Sequence, residues 1–508
     1  MMISLWQQSM PDNRILETSL ATETFDVAIA GAGITGMSLA LLLQQQGKRV
    51  VVLEAQQRGF GTTGGTTAHL NTLLDHPYNQ LIKNFNLETA QQVYRATEEA
   101  IGLIEYQIMQ YRISCGFRRT DAFLLAETEA EEKELEEIRI GCEAVQLDCA
   151  YTTDTGSHLL FSKALRTPRQ ACFHPLQYLQ GITTAFESLG GVLYEHTRVW
   201  NSEWKKDQHL VQTSRGHINA KHLVYATHIP TGINLLHLRC IPWRSYAMSI
   251  ELAGDYPPGL YYDMKDPYHY YRSQEVNGTT YLVAGGKDHR TGSANNTTQC
   301  FTALEAEVRK HFKIKRIVHK WSSQYYESTD GLPYIGHLPG GPDHTWVATG
   351  FGGNGMTYSQ VAARVLTDLI CGHPHAEQHP FSPMRIKPVA GFQDFVQHNA
   401  HVAIEVIARF FREREEADFA DLAPGEAKLV SVSGHTAALY KDEAGKLHGV
   451  QAHCTHMGCD LKWNPAERSW DCPCHGARFN PDGVVLNAPA TMALQELPLF
   501  DPGLPVRK

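Results

Sequence analysis

A chain of 508 residues exceeds what one ordinary hydrophobic core can hold and predicts two or three domains. Its 43% apolar and 19% charged residues are a normal globular mixture, and its net charge of −9 argues against nucleic acid or an anionic membrane surface, both of which need a basic footprint. No stretch reaches the roughly 18 to 20 uninterrupted apolar residues of a membrane span, and residues 1–20 hold no apolar h-region, so a cytoplasmic protein is expected.

After an N-terminal extension (residues 1–24), Phe25 to Ala30 reads as a buried strand and Gly31-Ala32-Gly33-Ile34-Thr35-Gly36 as a tight turn. Met37 to Gln46 then reads as a helix ended by Gly47, and Arg49 to Leu53 as a second buried strand with Glu54 at its end. A long mixed α/β region follows to about residue 375. Its helices include Glu88 to Tyr111 and Pro175 to Leu189, and its strands include Val192 to Tyr194, His222 to Ala226 and Tyr281 to Ala284. The Pro/His-rich segment Gly372 to Val389 marks a boundary, and residues 376–420 read as a linker with a connecting helix, Gln393 to Arg414. Within it Val402 to Phe411 is apolar but broken by Glu405 and Arg409. From Asp421 to Lys508 short strands and turns predict a small β domain.

The first turn, Gly31-x-Gly33-x-x-Gly36, is the phosphate-binding pattern of a dinucleotide site. Gly31 permits the tight turn, Gly33 lets backbone approach a pyrophosphate, and Gly36 allows close helix–strand packing, with Ile34 and Thr35 opening the helix. The helix N-terminus offers unpaired N–H groups to phosphate, and Glu54 stands where an acid bonds ribose hydroxyls. This pattern alone does not separate FAD from NAD.

Of the eleven cysteines, Cys115, Cys142, Cys149, Cys172, Cys240, Cys300 and Cys371 are scattered and read as buried thiols. Cys454, Cys459, Cys472 and Cys474 are crowded together with His456 and His475. Two loops that each offer one Cys and one His can clamp a two-iron cluster, with thiolates on one iron and imidazoles on the other. A Cys/His quartet also suits tetrahedral zinc.

Cys454-Thr455-His456-Met457-Gly458-Cys459 and Cys472-Pro473-Cys474-His475-Gly476 closely resemble the two boxes of Rieske domains, as do Asp482-Gly483 and Ala488-Pro489-Ala490 downstream. The resemblance covers about residues 421–500. It implies a [2Fe–2S] cluster held by Cys454, His456, Cys472 and His475, with Cys459 and Cys474 as a disulfide tying the loops. High-potential respiratory members carry Ser and Tyr where this chain has Ala477 and Phe479. Those hydroxyls donate to cluster and cysteine sulfurs, so their loss implies a potential toward the lower part of the roughly −150 to +300 mV Rieske range.

Further upstream, residues 61–68 (GTTGGTTA), 329–336 (TDGLPYIG) and 350–357 (GFGGNGMT) resemble the FAD-dependent amine and amino-acid oxidoreductases related to D-amino-acid oxidase and glycine oxidase. That resemblance spans about residues 25–370. With the Rieske likeness it implies an α/β FAD-binding Rossmann-type domain with an interleaved mixed-sheet substrate domain (25–375), followed by a small all-β Rieske domain (421–508). It implies FAD contacts from Thr66, Thr67, Gly352, Asn354, Gly355 and Met356 as well as the first turn. The helix Thr357 to Leu369 would aim its N-terminus at the flavin.

Tyr270, Tyr271 and Arg272, and Arg244 with Tyr246, fall where this family's substrate domain is expected. Arg272 and Arg244 are the candidates to hold a substrate carboxylate, and Tyr270 to wall an amine site. His69, close after the Thr pair, could approach the flavin, although a structural histidine is the simpler reading. The combination implies a dehydrogenase of a small-molecule amine or amino acid whose electrons pass from FAD to the cluster and on to an external acceptor protein. Electrons running inward from a donor protein, or a redox sensor without turnover, are the alternatives.

Overall fold

The structure is a computed structural model, and it describes residues 2–10, 19–385, 397–400, 402, 422–432 and 435–497. The expected connecting helix Gln393 to Arg414 lies outside the described residues except for 397–400 and Val402.

Val50–Leu53 is four aliphatic residues in a row, all buried, as a strand covered on both faces requires. It pairs in parallel with Thr24–Ala30 on one side and Val192–Tyr194 on the other. Gly216–Tyr225 and Thr345–Thr349 continue the parallel order, and Tyr334–His337 closes the edge antiparallel. A hairpin of Val199–Lys205 and Gln208–Thr213 completes eight strands. The helices Ile34–Gln45 and Gly355–Cys371 pack together, with Gln360 donating to the Ser38 hydroxyl at 2.8 Å.

A second sheet of nine strands is built from residues lying between strands of the first. Cys240–Leu252 runs antiparallel to both Ile314–Ser328 and Thr279–Arg290, and His269–Val276 and Leu260–Asp263 follow. Leu260–Asp263 is parallel to Arg118–Ala126, so the sheet is mixed. The C-terminal unit is all β, with three antiparallel strands over residues 427–451 and four over residues 462–487. Among the described residues no helix is long and apolar enough to cross a membrane.

Three boundaries differ from the sequence reading for local reasons. The first helix begins at Ile34 rather than Met37, because Gly33 is its N-cap and the Thr63 hydroxyl accepts from the Ile34 N–H at 3.0 Å. The strand read as His222 to Ala226 is the end of Gly216–Tyr225, whose polar first half pairs with the hairpin. Tyr281 to Ala284 is the centre of Thr279–Arg290, which is lengthened by having a partner on each side.

The segment ahead of residue 24 is anchored over residues 2–10. Leu5–Ser9 is a short helix with a Ser4/Gln7 capping box; Trp6 is fully buried, and its indole donates to the Thr66 carbonyl at 2.6 Å. Ser4, whose hydroxyl donates to the Gly64 carbonyl, and Trp6 therefore brace the 61–67 loop, which lines the main cavity.

Candidate active site and metal centre

The main cavity opens where the parallel sheet meets the mixed one. Gly31, Gly33, Ile34 and Thr35 form one wall, Thr66 and Thr67 another, and Gly352, Asn354, Gly355 and Met356 a third, with Glu54 at the end of its strand. Of the residues expected to bind FAD, Gly36 alone stands behind the wall, where a Cβ would lie 1.9 Å from the Gly31 carbonyl oxygen. Gly31 has φ +106°, and a Cβ there would meet the Ala226 carbonyl oxygen at 2.6 Å.

The Glu54 carboxylate accepts from the Ala32 N–H and the Gln56 N–H, each at 2.8 Å, so it braces the glycine turn. Burial pushes its carboxyl up, and these two hydrogen bonds oppose the shift. Asn354 bonds the Asp75 N–H and Asn71, which pins the start of the last helix to the 71–75 loop.

The second sheet supplies the other end of the cavity. Tyr270 faces it, as expected, and shares a 2.8 Å hydrogen bond with Ser245. Tyr262, Tyr268, Tyr325, Asp75 and Asp288 face it too, and the sequence reading did not find them. They come from different strands and loops and carry no local motif.

His69 also lines this end. Asn71 donates to the Tyr262 hydroxyl at 2.6 Å, and that hydroxyl donates to His69 Nδ1 at 2.6 Å. This network assigns the neutral tautomer with its proton on Nε2, which is buried with no partner among the described residues. Burial, then Arg272, hold the imidazole well below its ordinary range.

The two arginines expected to hold a substrate carboxylate are employed elsewhere. Arg272 is fully buried behind the wall and donates to the Thr67 carbonyl at 2.5 Å, the Gln274 side chain at 2.5 Å and the Phe173 carbonyl at 3.0 Å. Ser245 faces the cavity, so strand alternation turns Arg244 to the opposite side. There Arg244 makes a buried ion pair with Glu467 of the C-terminal domain. Tyr246 bonds His289 at 2.9 Å, and Tyr271 packs on Phe312; both lie off the cavity.

The cysteine/histidine boxes form two similar tight turns. Cys454 donates its N–H to the Cys459 carbonyl and accepts from the Gly458 N–H, both at 2.9 Å; Cys472 does the same with Ala477 and Gly476 at 2.8 and 3.0 Å. Cys459 and Cys474 form the disulfide that joins them. The Cys454 and Cys472 thiols are buried in contact with each other. The rings of His456 and His475 lie 5.0 Å apart, and Nδ1 of each is buried without a partner among the described residues.

His456 Nε2 bonds the Gly232 carbonyl at 3.1 Å, which leaves the Nδ1 lone pair for a metal. Two adjoining thiols and two bare imidazole nitrogens suit a Rieske cluster. Both turns rest on the larger domain. His237 packs edge-on to His456 at 4.5 Å, Tyr326 donates to the His475 carbonyl at 3.0 Å, and Gln324 donates to the Gly476 carbonyl at 2.8 Å.

The profile of the FAD dependent oxidoreductase family matches residues 26–369, and that of the Rieske [2Fe-2S] domain matches residues 415–498. The chain belongs to the FAD dependent oxidoreductase family. It is 34% identical to the Rieske 2Fe-2S iron-sulfur protein YhfW of Bacillus subtilis, over 93% of each chain. It is 25% identical to γ-glutamylputrescine oxidoreductase of Escherichia coli, over 69% of this chain and 84% of that one. Glycine oxidase from Geobacillus kaustophilus shares the fold with a TM-score of 0.61 at 19% identity, over 72% of this chain and 100% of that one.

This member of the family is an enzyme with two redox cofactors, FAD and one [2Fe–2S] cluster. The residues present fit both. The glycine turn gives the cavity a floor of bare backbone that any Cβ at Gly31 would disrupt, and the boxes present two adjoining thiols and two buried imidazole nitrogens without a partner among the described residues.

Proposed function

We propose that the chain is a dehydrogenase of an amine or amino acid that sends the electrons from its flavin through its Rieske domain to an external acceptor. In this reading FAD lies along Gly31, Gly33, Ile34, Thr35, Thr66, Thr67 and the Gly352–Met356 stretch, and the cluster takes Cys454, His456, Cys472 and His475. When bound, FAD accepts a substrate hydride and releases electrons one at a time, and the cluster carries one.

The observation that supports this reading is a wall common to the two sites. Ala488 and Ala490 of the C-terminal domain line the flavin cavity, and the Tyr326 hydroxyl donates to the His475 carbonyl at 3.0 Å and lies 3.3 Å from the Ala488 carbonyl. His228, another cavity residue, packs edge-on to Tyr326 at 4.8 Å. In this reading Tyr326, touching His228 on one side and the His475 and Ala488 carbonyls on the other, connects the flavin cavity to the cluster loops. γ-Glutamylputrescine oxidoreductase and glycine oxidase, by their names, act on an amine and an amino acid, which supports the substrate class.

Anaerobic addition of a substrate amine is expected to bleach the flavin and produce the reduced-Rieske EPR signal. Bleaching without that signal would sink the proposed route.

The immediate surroundings of the cluster loops yield a further expectation. Ala477 and Phe479 are fully buried, the Ala477 carbonyl accepts from the Cys472 N–H at 2.8 Å, and neither side chain can donate to sulfur. A donor favours the more negative reduced state, and about 1 kcal/mol of preference corresponds to about 40 mV for one electron. Ala477→Ser and Phe479→Tyr are each expected to raise the potential by about that amount, measured by EPR-monitored redox titration.

A further inference from the structure

We propose that the substrate end of the flavin cavity is an ammonium site, in which Asp288 and the faces of Tyr268 and Tyr270 take a cationic amine that carries no carboxylate. This inference rests on the amine or amino-acid reading above and narrows its substrate class.

Asp288 leaves the end of the Thr279–Arg290 strand and faces the cavity. One oxygen, Oδ2, accepts from the Tyr325 hydroxyl at 2.9 Å. The other, Oδ1, is buried with no partner among the described residues. Ser245 contacts the same carboxyl and shares a 2.8 Å hydrogen bond with Tyr270, whose ring lies 5.6 Å from that of Tyr268. A bare carboxylate oxygen in a cavity that two tyrosine rings also line is an arrangement that takes up an ammonium ion, by charge-assisted hydrogen bond and by cation–π attraction.

The charges around the cavity agree. Among its described lining residues the sole Lys or Arg is Arg198, which stands beside Glu54 and donates to the Val485 carbonyl at 3.0 Å. Arg272 and Arg244 are committed as described, so a substrate carboxylate at the Asp288 end would be buried without a cation. Burial pushes the Asp288 carboxyl up to about 7, with Asp75 and Glu327 adding to the shift and the Ser245 and Tyr325 hydroxyls opposing it. Asp75 itself is pushed up to about 6, again chiefly by burial. An entering cation relieves this crowding of acids; an entering anion adds to it.

The test uses the full-length, FAD-loaded protein and two probe pairs that differ by one carboxyl: n-butylamine against norvaline, and 1,4-diaminobutane against ornithine. Binding is read from the perturbation of the flavin spectrum, separately from bleaching. Each amine is expected to bind on the order of 100-fold more tightly than its amino acid. Asp288→Asn is expected to weaken amine binding on the order of 30-fold with FAD content unchanged, and Asp288→Glu to recover part of the loss.

In the native protein amine binding, read from the same spectral perturbation, is expected to weaken as pH drops through about 7, because the protonated acid no longer holds the cation. Amino acids that bind as well as the amines, amines that leave the spectrum unperturbed, or native affinity in Asp288→Asn would each overturn the ammonium site. Amines that bind through Asp288 without bleaching the flavin would uphold the site and overturn the dehydrogenase reading.

Discussion

Cys472→Ser is expected to yield a protein that keeps its FAD and is still bleached by substrate, yet holds almost no iron and reduces an external acceptor at least about 100-fold more slowly. The scale follows from ligand chemistry, since losing even a group that only orients a metal ligand costs about 10- to 100-fold in affinity. Serine replaces a soft thiolate by a hydroxyl that stays protonated at neutral pH. Cys472 is fully buried at the end of Ser469–Asp471, and the neighbouring sulfurs of Cys459 and Cys474 are tied up in the disulfide.

The flavin domain has its own core and sheets, which is why FAD content is expected to survive the substitution. Cys371→Ser, in a free cysteine on the last helix of that domain, serves as the control and should leave iron unchanged. Measured iron and the EPR spectrum decide the matter, and full iron with a native signal in Cys472→Ser would remove that residue from the ligand set.

The parts legible in the sequence were those whose meaning is local. The glycine turn, the acid ending its second strand, and the two Cys/His boxes each act through residues a few positions apart, so spacing alone brings them together. The disulfide pairing came from family resemblance, and the structure has it. What the sequence did not reveal depends on contacts between distant segments. Arg244 looked like a substrate residue until strand alternation turned it toward Glu467, more than two hundred residues away.

Arg272 is on the same face as Tyr270 but one step further along, where backbone carbonyls take its protons. Asp75 and Asp288 gave no signal, because an acid in a loop and an acid at a strand end are ordinary surface residues until a cavity closes over them. The wall contributed by Ala488 and Ala490 is of the same kind. Small apolar residues in a β domain reveal nothing about the neighbour they touch.

Gly36→Ala is expected to destroy FAD binding and to lower stability by about 3 kcal/mol or more. The new methyl carbon would sit 1.9 Å from the Gly31 carbonyl oxygen and 3.1 Å from its carbon. Both are backbone atoms, so no rotamer change relieves the clash, and either the helix Ile34–Gln45 or the turn itself must move. Moving the helix opens its packing against Gly355–Cys371, where Gln360 reaches Ser38. Moving the turn displaces Gly31, already held at φ +106° against the Ala226 carbonyl, together with the Ala32 N–H that Glu54 accepts from.

Each route spoils the surface on which the pyrophosphate is proposed to lie, so the loss of cofactor should exceed the loss of fold. Gly102→Ala separates the two effects. It lies in the helix Leu87–Tyr111 with nothing within 4 Å of its Cβ position, and there alanine should stabilise by up to about 1 kcal/mol with native FAD content. Thermal melts and flavin absorbance of the two variants side by side test the argument, and Gly36→Ala with native absorbance would mean that the turn is not the cofactor's seat.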